Sequence, residues 1–313
     1  MLILYFSPQM YFFQNSHLFR KRIFFLKNLI ELYLKGIYLK NLTSFLLIFC
    51  KLIMVELSQF QLDVYAHKIL DDYDAKTPSG IFKDKISISI EDALRIQLAV
   101  TNLREKRGEE VIGYKIGCVS KDTQRKMGFT KPAWGRLWKN ELYLDGVTLD
   151  KRNFANPAME AEFGIVLNRD LTPELVNLDY ILDSIETIHP IIEIHNLVFN
   201  GDPPFGAELL ANNAIHAGVV MGKPTKANIK SEITDLKLIF DNEIIDIWSD
   251  KKWPHDMLSE VEWLVKDQDK IGNILKKGNL ILTGAYGLPI PINDKKLIQV
   301  TSSLFGNVSA LFQ

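Results

Sequence analysis

Cysteine is nearly absent from this 313-residue chain, which contains only Cys50 and Cys118. Two cysteines form neither a disulfide framework nor the spacing of a zinc site. Proteins that depend on disulfides are mostly secreted, so this usage predicts a reducing, cytoplasmic location.

An excess of charge and long apolar runs are also lacking. The net charge is −1, which argues against the basic field of a nucleic-acid-binding protein. The longest apolar run in the N-terminal stretch, Phe45 to Cys50, is far shorter than the ~20 residues of a membrane span. We therefore expect neither nucleic acid nor membrane as a partner of the folded domain.

Residues 1–53 differ in charge from the rest of the chain. They contain seven Lys or Arg residues and one acid, Glu31, a net charge of +6. The stretch lacks the order of a signal peptide. We interpret it as an unrelated N-terminal extension, either disordered or added by a start codon assigned upstream of Met54. A transit peptide or a basic membrane-surface segment is the alternative.

Residues 54–110 are predicted to be helical. Apolar residues recur at helical spacing in 57–73, and a second helix is expected after Ser89, a good N-cap residue. Glu91 and Asp92 favour its first turn, and Gly108 ends it.

Residues 111–313 are predicted to form a β-rich catalytic domain. Short β-rich runs are separated by Gly, Pro, Asn and Asp. Only two helical patches are expected among them, at Leu171–Glu186 and Met257–Lys266. Strands and helices do not alternate as in a doubly wound fold. The predicted class is therefore α+β, with a small helical N-terminal portion and a mostly antiparallel β body.

Two glutamates stand one residue apart at the start of an apolar run. Because side chains alternate along a strand, Glu160 and Glu162 are expected on one face. Their charges repel there, and a divalent cation would relieve the repulsion, since hard ions take carboxylate oxygens. A solvated strand end is the alternative interpretation.

A third carboxylate strengthens the metal hypothesis. Glu193 lies between Ile192 and Ile194, and a buried glutamate seldom lacks a partner. A site formed by Glu160, Glu162 and Glu193 would suit Mg²⁺ or Mn²⁺. A structural salt bridge from Glu193 to a lysine remains the alternative.

Lys115 is a candidate catalytic residue. It lies between Gly113 and Gly117 in an apolar run, where it could reach a pocket and bind an acidic substrate or move a proton. Alternatively, its ammonium group simply extends to water. Glu160 is a second candidate catalytic residue.

Two loop segments supply candidate substrate-binding residues. Thr283 and Gly284 lie in a strand-turn where backbone amides could approach a ligand, although a plain hairpin explains them as well. Asn212 and Asn213 could hydrogen-bond a substrate or form a turn.

The histidines fit no catalytic or metal motif. His189, His195 and His216 have no metal-ligand spacing, and no Gly-x-Ser-x-Gly elbow is present. We interpret them as core residues or as supports for neighbouring side chains.

Taken together and in order, several segments resemble a known enzyme family. They are "GYKIG", "MGFTKPAWGRLW", "MEAEFGIVLNRDL", "IIEIHN", "NNAIHAG", "GNLILTGAYG" and "SSLFGNVSALF". From about Leu57 to its C-terminus, the chain resembles the 2-keto-4-pentenoate hydratase and 4-oxalocrotonate decarboxylase branch of the fumarylacetoacetate hydrolase superfamily.

The resemblance implies a β-roll body, a homo-oligomer and a role in aromatic compound catabolism. It places a divalent metal on Glu160, Glu162 and Glu193, with Lys115 near a small 2-oxo acid substrate. It implies a hydro-lyase that adds water to a short 2-hydroxy-dienoate or its 2-oxo tautomer. A decarboxylase of the 4-oxalocrotonate type is the alternative within the branch.

The sequence departs from the family pattern at two acids. Ala133 replaces an aspartate of the usual Pro-Asp-Phe-Gly, and Asn212 replaces an aspartate of the usual Asp-Asn pair. These changes keep open a catalytically impaired homologue. A C–C hydrolase of the acylpyruvate or fumarylacetoacetate type is a further alternative. Such enzymes generally need a histidine base near the pocket, and the segment after the Lys115 run, "CVSKDTQRKMG", contains no histidine.

Overall fold

Two capped helices begin the part of the chain that the computed structural model describes, namely residues 56–84, 86–226, 232–285 and 287–313. Helix α1 spans Gln59–Asp74, and Ser58 and Gln61 form a capping box at its start. Helix α2 spans Ile90–Lys106, and Ser89 Oγ accepts a hydrogen bond of 2.9 Å from the amide of Asp92. This is the N-cap expected from the sequence.

The remaining helices in the described residues are short, except the last. They are α3 Lys121–Met127, α4 Leu178–Asp183, α5 Gly206–Ala211 and α6 His255–Asp269.

Strands form two sheets. The first, sheet A, has the order β2-β1-β10-β5-β6-β7-β3, and β11 also pairs with β5. The second, sheet B, has the order β4-β13-β12-β8-β9. The strands are β1 Val111–Gly117, β2 Ala133–Trp138, β3 Leu142–Leu144, β4 Val147–Leu149, β5 Pro157–Leu167, β6 Ile185–Asn196, β7 His216–Met221, β8 Glu232–Phe240, β9 Glu243–Trp253, β10 Leu280–Leu282, β11 Ile290–Pro291, β12 Leu297–Ser302 and β13 Gly306–Phe312.

The main hydrophobic core contains buried side chains from both sheets. On β5 the odd-numbered side chains Ala161, Phe163 and Ile165 enter this core. The ring of Phe163 meets that of Phe305 edge to face, with centroids 5.0 Å apart. Because side chains alternate, the even-numbered positions 160 and 162 point to the opposite face of sheet A. Burial of one face of β5 thus determines where its glutamates point.

The predicted α+β class is confirmed, with corrections in detail. Most strand pairs are antiparallel, but β1–β10, β3–β7 and β4–β13 are parallel. The helix expected at Leu171–Glu186 is wrong in extent, because only Leu178–Asp183 is helical and Leu171 bridges Leu275 instead. Pro173, which disfavours helical geometry for the residue before it, lies in the part that is not helical. Helices α3 and α5 were not expected.

The predicted division at residues 53 and 110 stays a prediction. Residues 1–53 lie outside the described residues. Between residues 56 and 110 the regular structure is helical, and the strands follow from Val111. None of the helices in the described residues has the length and apolar character needed to cross a membrane.

Candidate metal site and its cleft

Three glutamates share the face of sheet A that is turned away from the main core. Glu160 on β5 is directly opposite Glu193 on β6 in the antiparallel register, and Glu162 is two residues further along β5. Glu162 and Glu193 are completely buried, whereas the Glu160 side chain retains 11% exposure. Such a cluster is unfavourable unless cations compensate it.

Lys115 on β1 provides part of that compensation. Its Nζ lies 2.9 Å from Glu193 Oε1 and donates a hydrogen bond of 3.2 Å to the carbonyl oxygen of Ala214. A glycine in the same strand allows the sheet to form here, because a Cβ at Gly113 would lie 1.8 Å from the carbonyl oxygen of Leu280. The alternative that Lys115 extends to water is excluded, since the residue is only 2% exposed.

Two histidines also contact the glutamates. His195, two residues after Glu193 on β6, places Nε2 2.9 Å from Glu160 Oε2 and 3.4 Å from Glu193 Oε2. His216, the first residue of β7, places Nδ1 2.9 Å from Glu193 Oε1. On its other side, His216 Nε2 is 3.9 Å from Glu141 Oε2. Glu193 therefore lies among three nitrogen-bearing side chains.

The pKa values of the two fully buried glutamates are shifted in opposite directions. Burial alone would raise the pKa of Glu193, but the charges of Lys115 and His195 hold it well below its usual range. Burial and repulsion by the other two glutamates raise the pKa of Glu162 well above its usual range. Burial lowers the pKa of Lys115, yet attraction to the three glutamates outweighs it, so that pKa is raised and the lysine stays charged.

Glu162 is held by a loop that only glycine suits. The amide of Gly284 donates a 2.9 Å hydrogen bond to Glu162 Oε2. Gly284 has a φ of +100°, and a Cβ there would lie 2.4 Å from Val119 Cγ1. The backbone at Gly284 thus approaches Glu162 closely, and its expected contact with a substrate stays a prediction.

The donor atoms fit a divalent cation. Glu160, Glu193 and His195 each offer one ligand atom within 4.8 Å of the others. Glu193 Oε2 and Glu162 Oε1 are buried without a hydrogen-bond partner in the described part of the chain. Buried carboxylate oxygens are normally paired, and a hard ion would satisfy these two.

The site forms the floor of a cleft. Its volume is about 740 Å³ with the open mouth included, within the range of small-molecule sites. Lys115, Glu160 and His195 line the floor. The walls are mainly apolar and include Met127, Leu197, Phe199, Leu209 and Leu288.

The structure places the predicted loop residues beside the site rather than in the cleft. Asn212 accepts from Ser79 Oγ and donates 2.8 Å to the carbonyl of Glu208, and it lines a smaller neighbouring cavity. Asn213 donates to the carbonyl and accepts from the amide of Arg136. Thr283 is buried and bonds to the carbonyl of Phe163. Their substrate contacts stay predictions. The side chains of both asparagines are already hydrogen-bonded to neighbouring groups of the protein.

Sequence reasoning missed the position of one histidine, His195. His195 and His216 were expected in the core or as supports. His216 does support Glu193, but His195 lies at the site itself. Strand alternation was the available signal, because His195 lies two residues after Glu193 and so shares its strand face.

By the same alternation Ala133, which pairs with Gly117, lies on the same face of sheet A as Lys115.

Three proteins of similar sequence are named as hydratases. The chain is 26% identical over 245 residues to 2-keto-4-pentenoate hydratase 2 of Dechloromonas aromatica, covering 75% of this chain and 91% of that protein. It is 28% identical over 223 residues to the 2-keto-4-pentenoate hydratase of Burkholderia vietnamiensis, covering 70% and 85%. It is 26% identical to the 2-oxo-hept-4-ene-1,7-dioate hydratase of Escherichia coli, covering 74% and 90%.

A solved structure shares the fold. The 4-oxalocrotonate decarboxylase of Pseudomonas putida G7, complexed with magnesium and adipate, superposes with a TM-score of 0.74 at 22% identity. The match covers 83% of this chain and all of that one. No protein-family model matches the chain. The comparisons confirm the predicted resemblance and fold, and they relate the chain to hydro-lyases.

Proposed function

We propose that this chain is a divalent-metal-dependent hydro-lyase that adds water to a short 2-hydroxy-dienoate or its 2-oxo tautomer. The observation that carries the proposal is that Lys115 and Glu160 line one cleft while both lie next to the buried Glu193. The relationship to hydratases supports the reaction type.

The proposed cofactor is Mg²⁺ or Mn²⁺, held by Glu160, Glu162 and Glu193. Two of these residues carry the buried oxygens that lack partners in the described residues. When bound, such an ion supplies Lewis-acid polarisation of the substrate's carboxylate and 2-oxygen.

Lys115 would bind and orient the acidic substrate. Its raised pKa keeps the ammonium group charged, so it serves as a cation and hydrogen-bond donor rather than as a base. Lys115 lines the cleft, and its Nζ is held by Glu193 and the carbonyl oxygen of Ala214. A fixed donor stabilises negative charge on a substrate oxygen without reorganising during the reaction.

Glu160 would exchange the protons. It is the glutamate of the three that lines the cleft and retains exposure, so its carboxylate can meet the substrate. One proton moves from the 2-hydroxyl group to C5, which gives a 2-oxo-3-enoate. Water then adds with its hydroxyl group at C4 and a proton at C3. A positioned carboxylate suits such transfers.

The apolar walls would align the carbon chain. Leu197, Phe199 and Leu209 line the cleft and would pack against the hydrocarbon part of the substrate. A cytoplasmic location, a homo-oligomer and a role in aromatic compound catabolism remain part of the proposal. Ala133 and Asn212, which replace acids of the family pattern, would lower the reaction rate rather than change the metal ligands.

The test is a spectrophotometric assay of the full chain. With Mg²⁺ or Mn²⁺ and 2-hydroxypenta-2,4-dienoate, we expect loss of the diene absorbance, abolished by EDTA and by Glu160→Ala. Glu262→Gln, a change at a surface glutamate paired with Lys266, is the control and should leave the rate unchanged.

Two further substrates separate the alternatives. Turnover of 2-oxohex-3-enedioate alone would indicate the decarboxylase, and cleavage of an acylpyruvate alone would indicate the hydrolase. No turnover of any substrate by protein that still binds the metal would indicate a non-catalytic homologue.

A further inference from the structure

We propose that Nε2 of His195 is itself a metal ligand, so that the site prefers a transition-metal ion such as Co²⁺ or Fe²⁺ over Mg²⁺. The inference rests on the metal site of the proposed function, but not on the reaction assigned to it. It adds a nitrogen donor to a site expected from the sequence to offer only carboxylates.

Position is the first argument. His195 follows Glu193 by two residues on β6, so both side chains point to the same face. It is 1% exposed yet lines the cleft beside Glu160. Its Nε2 is 2.9 Å from Glu160 Oε2 and 3.4 Å from Glu193 Oε2. The imidazole is therefore among the carboxylate oxygens that an ion would take.

The lack of hydrogen bonds is the second argument. Within the described residues, neither ring nitrogen of His195 has a hydrogen-bond partner, although Nε2 lies 2.9 Å from Glu160 Oε2. Buried polar side chains nearly always have such partners. His189, another buried histidine of β6, meets this expectation through Thr187 and the carbonyl of Gly222. His195 thus has an unused donor atom in a buried site.

The arrangement of Glu193 is the third argument. Its Oε1 contacts Lys115 and His216, and its Oε2, on the His195 side, has no hydrogen-bond partner among the described residues. The ligand atoms of Glu160, Glu193 and His195 lie within 4.8 Å of one another. Ligands bound at about 2.1 Å from an ion lie up to about 4 Å apart. Small side-chain movements would complete the site.

The selectivity follows from ligand chemistry. Carboxylate and water ligands suit Mg²⁺, whereas imidazole suits later transition metals. Affinity for a given site also rises from Mn²⁺ through Fe²⁺ to Co²⁺. One imidazole among the glutamates should therefore favour Co²⁺ and Fe²⁺.

An opposing interpretation makes His195 a cation rather than a ligand. The two glutamates beside it raise its pKa against the effects of burial and Lys115. A protonated His195 would repel a bound ion. Removing it would then strengthen the binding of every divalent ion, which is opposite to the proposal.

Calorimetry on the full chain separates the two. Dissociation constants are measured for Co²⁺ and Mg²⁺ with wild type, His195→Gln and the matched control His189→Gln. We expect His195→Gln to weaken Co²⁺ binding by about tenfold or more and Mg²⁺ binding much less. His189→Gln should change neither. His195→Asn is a second, smaller replacement if glutamine prevents folding.

Pulsed EPR of the Mn²⁺ complex gives an independent measurement. We expect nitrogen coupling from a coordinated imidazole in wild type and in His189→Gln, and none in His195→Gln. An unchanged or increased affinity for both ions in His195→Gln, or no nitrogen coupling in wild type, would overturn the proposal. If Glu160→Gln abolishes metal binding in that case, the carboxylate site still stands. If Glu160→Gln has no effect either, the metal site of the proposed function fails with it.

Discussion

Glu160 and Glu193 lie directly opposite each other on neighbouring antiparallel strands, on the face of sheet A that does not enter the main core. Like charges in this relationship are destabilising. The fold tolerates the pair because Lys115 and His195 each approach within 3 Å of one of the two carboxylates. The proposed metal site would thus lower the stability of the metal-free protein.

Replacement of Lys115 by methionine should destabilise the metal-free protein strongly. Loss of one partner of a buried ion pair typically costs about 3–5 kcal/mol, and the Lys115 side chain is only 3% exposed. A divalent ion should then raise the melting temperature more than it does in wild type, because it replaces the lost positive charge. Thermal unfolding with and without Mg²⁺ measures both effects.

Lys139→Met is the matched control. Lys139 pairs with Glu110, and both side chains are more than half exposed. Exposed ion pairs contribute little to stability, so this variant should have the melting temperature of wild type both with and without Mg²⁺. Equal melting temperatures for Lys115→Met and wild type would contradict the ion-pair argument.

Replacement of Gly284 by alanine should weaken both stability and metal binding. The new Cβ would lie 2.4 Å from Val119 Cγ1, and φ at this residue is +100°. The loop must shift and carry with it the amide that holds Glu162. Urea unfolding and Mn²⁺ calorimetry should both register the change.

Gly278→Ala is the control that separates the effect of a positive φ from the effect of the contact with Val119. Gly278 also has a positive φ, +83°, but no atom of the described residues lies within 4 Å of a Cβ placed there. We expect a loss of only about 1–2 kcal/mol from the left-handed backbone and no change in Mn²⁺ affinity. Equal effects of the two substitutions would show that Val119 does not restrict the loop.

Restoring an aspartate at position 212 should destabilise the protein. Asn212 Nδ2 donates 2.8 Å to the carbonyl oxygen of Glu208. A carboxylate has no donor and would face that oxygen, at a cost of about 1–3 kcal/mol. Urea unfolding at neutral pH measures the loss.

Asn156→Asp is the corresponding change in an exposed residue. Asn156 donates 2.7 Å to the carbonyl of Leu197 but lies on the surface. Water can replace the lost contact, so a smaller effect is expected. A fully stable Asn212→Asp variant with higher activity would instead support an acid as the better residue at this position.

Asp267→Asn should lower stability at neutral pH by about 1–3 kcal/mol. Asp267 on α6 accepts from Trp134 Nε1 at 3.0 Å and pairs with Lys131 and Lys270. Burial would raise the pKa of Asp267, but these contacts outweigh it and lower that pKa below 3.8.

The lowered pKa fixes the sign of the pH dependence. The contribution of Asp267 is complete above the pKa of the unfolded chain, about 4, and is lost as pH falls through the lower folded value. The gap in unfolding free energy between wild type and Asp267→Asn should therefore narrow as pH falls below about 4. Glu262→Gln, on the same helix, should show almost no gap at any pH. A gap that stays constant down to acid unfolding would contradict this assignment.

Local features of the sequence were sufficient to predict much of the fold. Ser89 caps α2 because its hydroxyl group reaches an amide within the same turn. Alternation along β5 places Glu160 and Glu162 on one face without knowledge of any partner strand. The position of Glu193 within an apolar run predicted its burial. These inferences need only neighbours in sequence.

Tertiary structure decided which residues meet. β5 and β6 bring Glu160 opposite Glu193, β1 brings Lys115 to the pair, and β7 brings His216. The importance of His195 emerged only from these contacts, since nothing near it in sequence showed that its nitrogens would find no hydrogen-bond partner in the described part of the chain. Its side-chain direction followed from sequence alternation, whereas its neighbours depended on strand register, which distant segments set when they bury one face of the sheet.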